Sequence, residues 1–425
     1  MTTFGSLGDL HPYIALARGL QQRGYQPIIA TSAIYSDIVE AAGIEFRAVR
    51  PDLDLADIDL LHQAMHPRKG TEVVIGKLVL PYIRQTYADL NQILQPDDML
   101  ITHSISYAAH IAAQKHNLNW ISVVLSPIAF FSRYDIPVLS GVPFSKHFEK
   151  WGPAVNRLII KAIKRFTGRL CTSIYRLRSE MGLAPGRHPL FEGQHSPHLV
   201  LAMFSKLLAR RQPDWPSHTR ITGFGFYDAA GNLGDLAPEL EKFLDAGPAP
   251  LIFALGSSAV FVAGDFYQRA AKAAAKLNRR AVLVVGKETG NLPYNQVGPD
   301  IIAVDYAPYS KLFPRAAAVI HHGGIGTTAQ VLRAGKPALF VPVAHDQPDN
   351  ARRVERLGIS RTLPFKKCSP AAMSRELEIL LGREEIKTRA EDIGKSIRSE
   401  DGIPAACDAI ETERKKINQR RKTCE

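Results

Sequence analysis

Residues 316–335 read AAAVIHHGGIGTTAQVLRAG. The apolar run Ala316 to Ile320 has strand character, His321 to Thr328 form a glycine turn, and Ala329 to Ala334 continue as a helix stopped by Gly335. Such a turn is suited to an anion, because glycines let backbone N–H groups approach and a helix N-terminus favours negative charge. Thr327 and Thr328 add hydroxyls, and His322 adds a ring nitrogen. Three readings stand at this point: a tight turn without a ligand, a dinucleotide fingerprint, or a nucleotide-diphosphate site. In the dinucleotide reading Asp346, about twenty residues on, would be the ribose-binding acid.

The neighbours of the turn narrow this. After the next strand comes Val341-Pro342-Val343-Ala344-His345-Asp346-Gln347, whose Asp-Gln pair offers a carboxylate and an amide for adjacent sugar hydroxyls. Upstream, Tyr306-Ala307-Pro308 leaves a strand with an aromatic face where a base stacks. Aromatic, phosphate turn and hydroxyl binder follow one another in the order base, diphosphate, sugar.

Short strand–helix units recur on both sides, the signature of an α/β chain with parallel sheets. The first half shows a helix over Pro12 to Gly24, a strand at Pro27 to Thr31 and a helix at Ser36 to Gly43. A strand at Met99 to Thr102, a helix at Tyr107 to His116 and a strand at Trp120 to Leu125 follow. The pattern restarts with a strand at Pro250 to Leu255 ending in Gly256-Ser257-Ser258, a helix at Phe266 to Leu277 and a strand at Ala281 to Val285. The opening Met1-Thr2-Thr3-Phe4 before the turn Gly5 to Gly8 is short for a buried strand; it is either a stunted strand or one whose start lies upstream. The expected organisation is an N-terminal domain at 1–215, a linker at 216–235 rich in glycine, and a C-terminal domain at 236–400. A helix and basic tail at 401–425 would return to the first domain. The two Rossmann-like domains face each other across a cleft.

At 425 residues two domains are expected. The 45% hydrophobic and 22% charged content is that of a globular protein. Four scattered cysteines without a CxxC pair argue against a disulfide framework or a zinc site. The net charge of +12 is clustered at Arg157, Lys161, Lys164, Arg165, Arg169, Arg176 and Arg178. A second cluster is Arg414, Lys415, Lys416, Arg420, Arg421 and Lys422. These clusters read as solvated helix faces or as attraction to an anionic membrane surface. Nucleic acid ranks last, because no zinc knuckle, RNP motif or helix-turn-helix accompanies them. With no signal peptide or spanning segment in view, a cytoplasmic protein with peripheral contact to the inner membrane face is expected.

The stretches DWP…ITGFGFYD, YAPYSKLFP, HHGGIGTT and HDQPDNARRVERLG, with GSLGDLHP near the start, resemble nucleotide-sugar glycosyltransferases of the GT-B fold. The likeness is greatest to the bacterial branch with antibiotic, sterol and rhamnolipid enzymes. It implies an inverting, metal-independent transfer of a hexose from UDP-glucose or dTDP-rhamnose to a hydroxyl of an apolar small molecule. Flavonoid, sterol, terpene and hydroxy-fatty-acid acceptors all fit that description. The nucleotide sugar is a co-substrate, and no cofactor is expected. By the resemblance Tyr306 stacks on the base and Ala307 holds its edge. His322, Gly324, Gly326, Thr327 and Thr328 hold the diphosphate, with Ser257 and Ser258 touching it from the other side. Asp346 and Gln347 hold the sugar, and Gln330 stands where plant members carry a ribose-binding glutamate.

Inverting transfer needs a general base for the acceptor proton. The resemblance assigns it to Asp9, in the first glycine turn, whose structural alternative is an acid stabilising a helix N-terminus. His103, after a later strand, is a candidate partner of Asp9 in a reversed dyad, with a surface place or the wall of the acceptor pocket as its alternatives, and His11 is a weaker candidate. Phe4, Tyr107, Phe130, Phe131 and Tyr134 are the candidate acceptor lining, with core packing as the alternative. Asp52, Asp54, Asp57 and Asp59 form a DxD-like run far in sequence from the phosphate turn, and no metal site is assigned to it. The two other functions carried forward are a nucleotide-sugar sensor without turnover and an NAD(P)-dependent oxidoreductase.

Overall fold

The computed structural model describes residues 1–424 apart from 55–56, 143, 229–233, 288–289 and 292–297, with side chains as far as 419. Part of the 216–235 segment, and the side chains of Arg420, Arg421 and Lys422, therefore lie outside the described residues.

Two parallel sheets build the molecule. In the first domain β1 (Ile28–Thr31) pairs with β2 (Glu45–Ala48). Beside them run β3 (Met99–His103), β4 (Asn119–Val124), β5 (Leu199–Ala202) and β6 (Thr219–Ile221). The stunted opening strand joins the two sets. Thr2 bridges Ala30 on one side and Thr102 on the other. Its N–H donates to the Ile101 carbonyl at 2.8 Å, and its carbonyl accepts from His103 at 3.0 Å. A few residues thus occupy the central strand position, and the helix Leu7–Gln21 begins at once. β6 falls within the segment read as linker, yet it pairs with β5.

The second sheet has the order β12-β11-β10-β7-β8-β9. Its strands are β7 (Leu251–Ala254), β8 (Ala281–Val284), β9 (Ile301–Val304), β10 (Ala318–His321), β11 (Ala338–Phe340) and β12 (Ser360–Thr362). β7, β8, β10 and β11 are buried along their whole length, as runs of Val, Ile, Leu, Phe and Ala, broken only by the buried His321 that ends β10, require with helices on both faces. The last helix, Gly402–Cys424, returns to the first domain, burying Ala406, Cys407 and Ile410 beside Leu10 and Ile14. Arg23 fastens it through Asp408 at 2.6 Å and Glu411 at 3.0 Å.

Strand order fixes where a ligand can sit. In each domain the strand order reverses around the first strand, and the crevice beyond the carboxyl ends opens at that switch point. In the first domain it lies between Thr2 and β3, in the second between β7 and β10.

Candidate functional site

The turn after Thr2 carries Asp9. It is the third residue of the helix Leu7–Gln21 and closes a capping box with Ser6. The Ser6 N–H and hydroxyl both donate to Asp9 Oδ2, at 2.8 and 3.2 Å. The other oxygen, Oδ1, lies 3.7 Å from His103 Nε2 at the end of β3. The capping role and the proposed base role therefore fall on different oxygens of one carboxylate. Gly5 makes this possible: with φ +137°, any Cβ there would come within 2.3 Å of Asp9 Oδ2. The Tyr35 hydroxyl braces the turn by donating to the Gly5 carbonyl at 2.8 Å. Burial lowers the pKa of His103 although the Asp9 charge opposes this, and His103 Nδ1 is buried without a hydrogen-bond partner. His11 is half-buried, its pKa pushed down by desolvation to about 4, with its ring against Tyr227.

Facing this turn is the helix Ile325–Ala334. Gly324 precedes it with no side-chain cap, so the first-turn N–H groups are left for a ligand. Thr328 is fully buried and its hydroxyl has no partner; the same holds for Gln330 Oε1. The His322 ring is packed between two glycines. A Cβ on Gly256 would meet its Cε1 at 2.5 Å, and one on Gly324 would meet its Nε2 at 2.4 Å. Burial pushes His322 down to about 4, so the imidazole is neutral, and its Nδ1 is unpaired. Ser257 and Ser258 follow Gly256 at the carboxyl end of β7. Gly324→Ala should displace the imidazole and weaken nucleoside-diphosphate binding about tenfold or more, as losing a hydrogen bond to a charged group does. Isothermal titration would read the change.

The two turns meet. A Cβ on Gly326 would lie 3.3 Å from Gly8 Cα. The Asp9 charge also acts on His345 and Asp346, opposing the depression of His345 and adding to the elevation of Asp346. Burial is the main cause of both shifts, and it raises the Asp346 carboxyl to about 7. His345 has left-handed backbone with φ 56°, and its Nδ1 is 3.2 Å from the Thr71 hydroxyl of the first domain. The Gln347 carbonyl oxygen accepts from the N–H groups of Val343 and Ala344, at 2.8 and 3.0 Å. Only its amide nitrogen is left for a sugar hydroxyl. Tyr306 and Ala307 follow β9, the first about half exposed and the second buried.

Asn350 was not anticipated from the sequence. Its amide nitrogen donates to the Gly323 carbonyl at 3.0 Å and to Asp346 Oδ2 at 2.8 Å. Its oxygen accepts from the Ser126 hydroxyl of the first domain at 3.1 Å. One side chain thereby links phosphate turn, acidic turn and opposite domain. Its place one helical turn after Asp346 was the available signal.

The candidate acceptor residues divide. Phe4 and Tyr107 line a small cavity beside the first turn with Thr2, Thr3 and Ser106. Tyr107 also lines a cavity of about 1060 Å³ with Phe130 and Phe131, whose wall includes Arg157, Lys161, Lys164 and Arg178. Neither Asp9 nor the candidate donor residues border that larger space. Phe130 is packed as well as lining, stacked on Trp215 with centroids 3.9 Å apart. Tyr134 lies outside both cavities, partly exposed beneath the Arg133 guanidinium. In the DxD-like run, Asp52 accepts from the Ala33 N–H, and Asp57 caps the helix Ile58–Ala64 through Leu60. Among the described residues no group of three or more His, Cys, Asp or Glu side chains has the geometry to hold a metal ion.

Two family models match the chain, one in each half. The glycosyltransferase family 28 N-terminal domain matches residues 1–116, and the erythromycin biosynthesis protein CIII-like C-terminal domain matches residues 270–405. The O-mycaminosyltylonolide 6-deoxyallosyltransferase of Streptomyces fradiae is 31% identical over 420 residues, covering 97% of this chain and 96% of that enzyme. A sterol 3-beta-glucosyltransferase of Arabidopsis thaliana is 27% identical over 422 residues, 96% of this chain but 64% of the longer plant protein. Among solved structures, the kitacinnamycin glycosyltransferase superposes with a TM-score of 0.72 at 20% identity, covering 97% of this chain and 98% of its own.

Proposed function

Since the chain belongs to the GT-B glycosyltransferases of the antibiotic and sterol type, we propose that it moves a hexose with inversion from a UDP- or dTDP-sugar to a hydroxyl of an apolar small molecule. The observation that carries this reading is the meeting of the two switch points, with Gly326 against Gly8 and the Asp9 charge reaching Asp346. A donor whose diphosphate lies on the helix Ile325–Ala334 has its sugar between Asp346 and Asp9.

In this reading the diphosphate accepts hydrogen bonds from the first-turn N–H groups, from Thr327 and Thr328, and from the neutral His322 ring. The acceptor hydroxyl enters from the first domain beside Phe4 and Tyr107. Its oxygen bonds to the anomeric carbon while the bond from that carbon to the diphosphate oxygen breaks. The hydroxyl proton passes to Asp9 Oδ1, and His103 stabilises the carboxylate by its position. Charge accumulating on the leaving diphosphate meets fixed donors and a helix dipole, an arrangement that stabilises it without reorganisation. Asp346 and Gln347 Nε2 orient the sugar hydroxyls. Macrolide-like or sterol-like acceptors fit best, given what the relatives act on.

Two measurements test this. UDP or dTDP at about a hundred times its Kd should stabilise the protein by about 2.7 kcal/mol, while NADH should not; the reverse result would overturn the reading. Turnover of UDP-glucose and dTDP-rhamnose with a sterol, a macrolide aglycone and a hydroxy fatty acid then selects donor and acceptor. NMR of the product should show the anomeric configuration opposite to the donor's, and retention would remove Asp9 as base.

A further inference from the structure

Seven of the twelve exposed large hydrophobic side chains among the described residues fall between Tyr134 and Phe166. Monomeric surfaces scatter such residues singly, so their concentration marks a contact surface. The helix Gly152–Thr167 explains its pattern. Asn156 and Ile160 face inward and are buried. Trp151, Val155, Leu158, Ala162 and Phe166 recur at helical spacing on the opposite side, within a stripe roughly 80° wide. Leu158 is 66% exposed and Phe166 87% exposed. Just upstream, Phe144 adds a ring that is 73% exposed.

Charge gives the partner its chemistry. Between Phe144 and Arg169 the chain carries Lys146, Lys150, Arg157, Lys161, Lys164, Arg165 and Arg169 against a single acid, Glu149. Glu149 is already bound to Arg352 and Arg356 of the second domain. On the helix, Lys161 and Arg165 both lie along one edge of the apolar stripe, beside Leu158, and Lys164 turns inward to Glu192. Among the described residues no helix is long and apolar enough to cross a membrane. An exposed apolar stripe edged by cations and almost free of acids suits a helix lying in the interface of an anionic bilayer.

We propose that the face carrying Phe144, Trp151, Val155, Leu158 and Phe166 lays this protein on an anionic lipid membrane, apolar side chains among the acyl chains and Lys161 and Arg165 at the phosphates. This assignment does not depend on the reaction. The other face of the same helix borders the large cavity through Ile160, so docking would bring that cavity close to the lipid.

The test is cosedimentation of the full chain with vesicles of phosphatidylcholine alone and of phosphatidylcholine mixed with phosphatidylglycerol. The wild type should pellet with the mixed vesicles, far less with the neutral ones, and release in high salt. The double variant Leu158→Glu, Phe166→Glu should bind about tenfold or more weakly, since two apolar anchors are replaced by charges of the lipid's own sign. Its melting temperature should be unchanged, because neither side chain is in the core. Arg165→Ala should weaken binding to the mixed vesicles without changing binding to neutral ones. Failure of the wild type to pellet with mixed vesicles, or equal pelleting of the double variant, would overturn the proposal. A concentration-dependent dimer in sedimentation velocity, broken by the same double variant, would overturn it in favour of a second copy of the chain.

Discussion

Asp9→Asn is expected to lower kcat by about 10²–10⁴-fold, the usual share of a general base, while the stabilisation by UDP or dTDP stays as in the wild type. The structure makes this substitution unusually clean. Asp9 Oδ2 accepts from the Ser6 N–H and hydroxyl, and the side-chain oxygen of asparagine accepts in the same way. The contact to Ser6 therefore survives in the variant, and the lost charge at the helix N-terminus costs about 0.3–1 kcal/mol of stability. What disappears is the second oxygen, which faces His103 Nε2 at 3.7 Å. Nitrogen at that place carries hydrogens and cannot take one from an acceptor hydroxyl. On the proposed reading donor binding rests on the helix Ile325–Ala334 and should not respond. Steady-state kinetics together with nucleotide-induced melting shifts separate the outcomes. A kcat within about threefold of wild type would leave His103 or another group as the base. A lost nucleotide shift would mean that the turn itself had collapsed. His103→Asn tests the partner: an intermediate loss with an altered pH profile fits a positioning role, and no change removes the dyad.

The donor end of the site was legible because it is local. Strand, glycine turn, helix and the next acidic turn lie within residues 316–350, and a phosphate turn is built from contiguous backbone. The parallel strand pattern of both domains could be read for the same reason, and even the short first strand left a trace in the length of its apolar run. The cross-domain contacts were not legible. The approach of Gly326 to Gly8, and of Asn350 to Ser126, depends on how two separately folded sheets face each other, and no periodicity encodes that. Gly5 could be read as a turn residue but not as the one position whose Cβ would strike the Asp9 carboxylate. Gln347 illustrates a different limit. Residue type marked it as a sugar binder, yet its carbonyl oxygen is taken by two backbone N–H groups of its own turn. The acceptor lining was the least legible part, because Phe130 and Phe131 pack and line a cavity at once, and aromatic stripes look alike in either role.

The second large effect is expected from Arg353→Met, which should destabilise the protein by about 3–5 kcal/mol, the cost of removing one partner from a buried ion pair. Arg353 is 3% exposed and reaches both domains. Its Nε donates to Asp349 Oδ2 at 2.7 Å on its own helix, and its Nη1 donates to Asp135 of the first domain. Asp349 also accepts from the Val138 N–H at 2.9 Å, so the segment around 135–138 is held by side chain and backbone together. Methionine fills much of the volume but leaves the buried Asp349 without its cation and Asp135 with Arg356 alone. The pH dependence follows from Asp135. Burial pushes its carboxyl up, but Arg353 and Arg356 more than offset this, and the pKa lies below the ordinary carboxylate value. Stability from this group is therefore full above the unfolded pKa of about 3.9 and is lost as pH falls through the depressed folded value. In Arg353→Met most of that acid-side slope should vanish, and urea denaturation at pH 7 and again below the unfolded pKa, at about pH 3, would show it. Activity should suffer beyond stability, because the helix anchored here begins at Gln347, immediately after Asp346. Loosening it moves the Asp346 turn relative to Asp9, so on the proposed reading kcat should fall while affinity for UDP alone, assigned to the helix Ile325–Ala334, changes little. Equal stability of variant and wild type at both pH values would show that the clamp is not what sets the domains against each other.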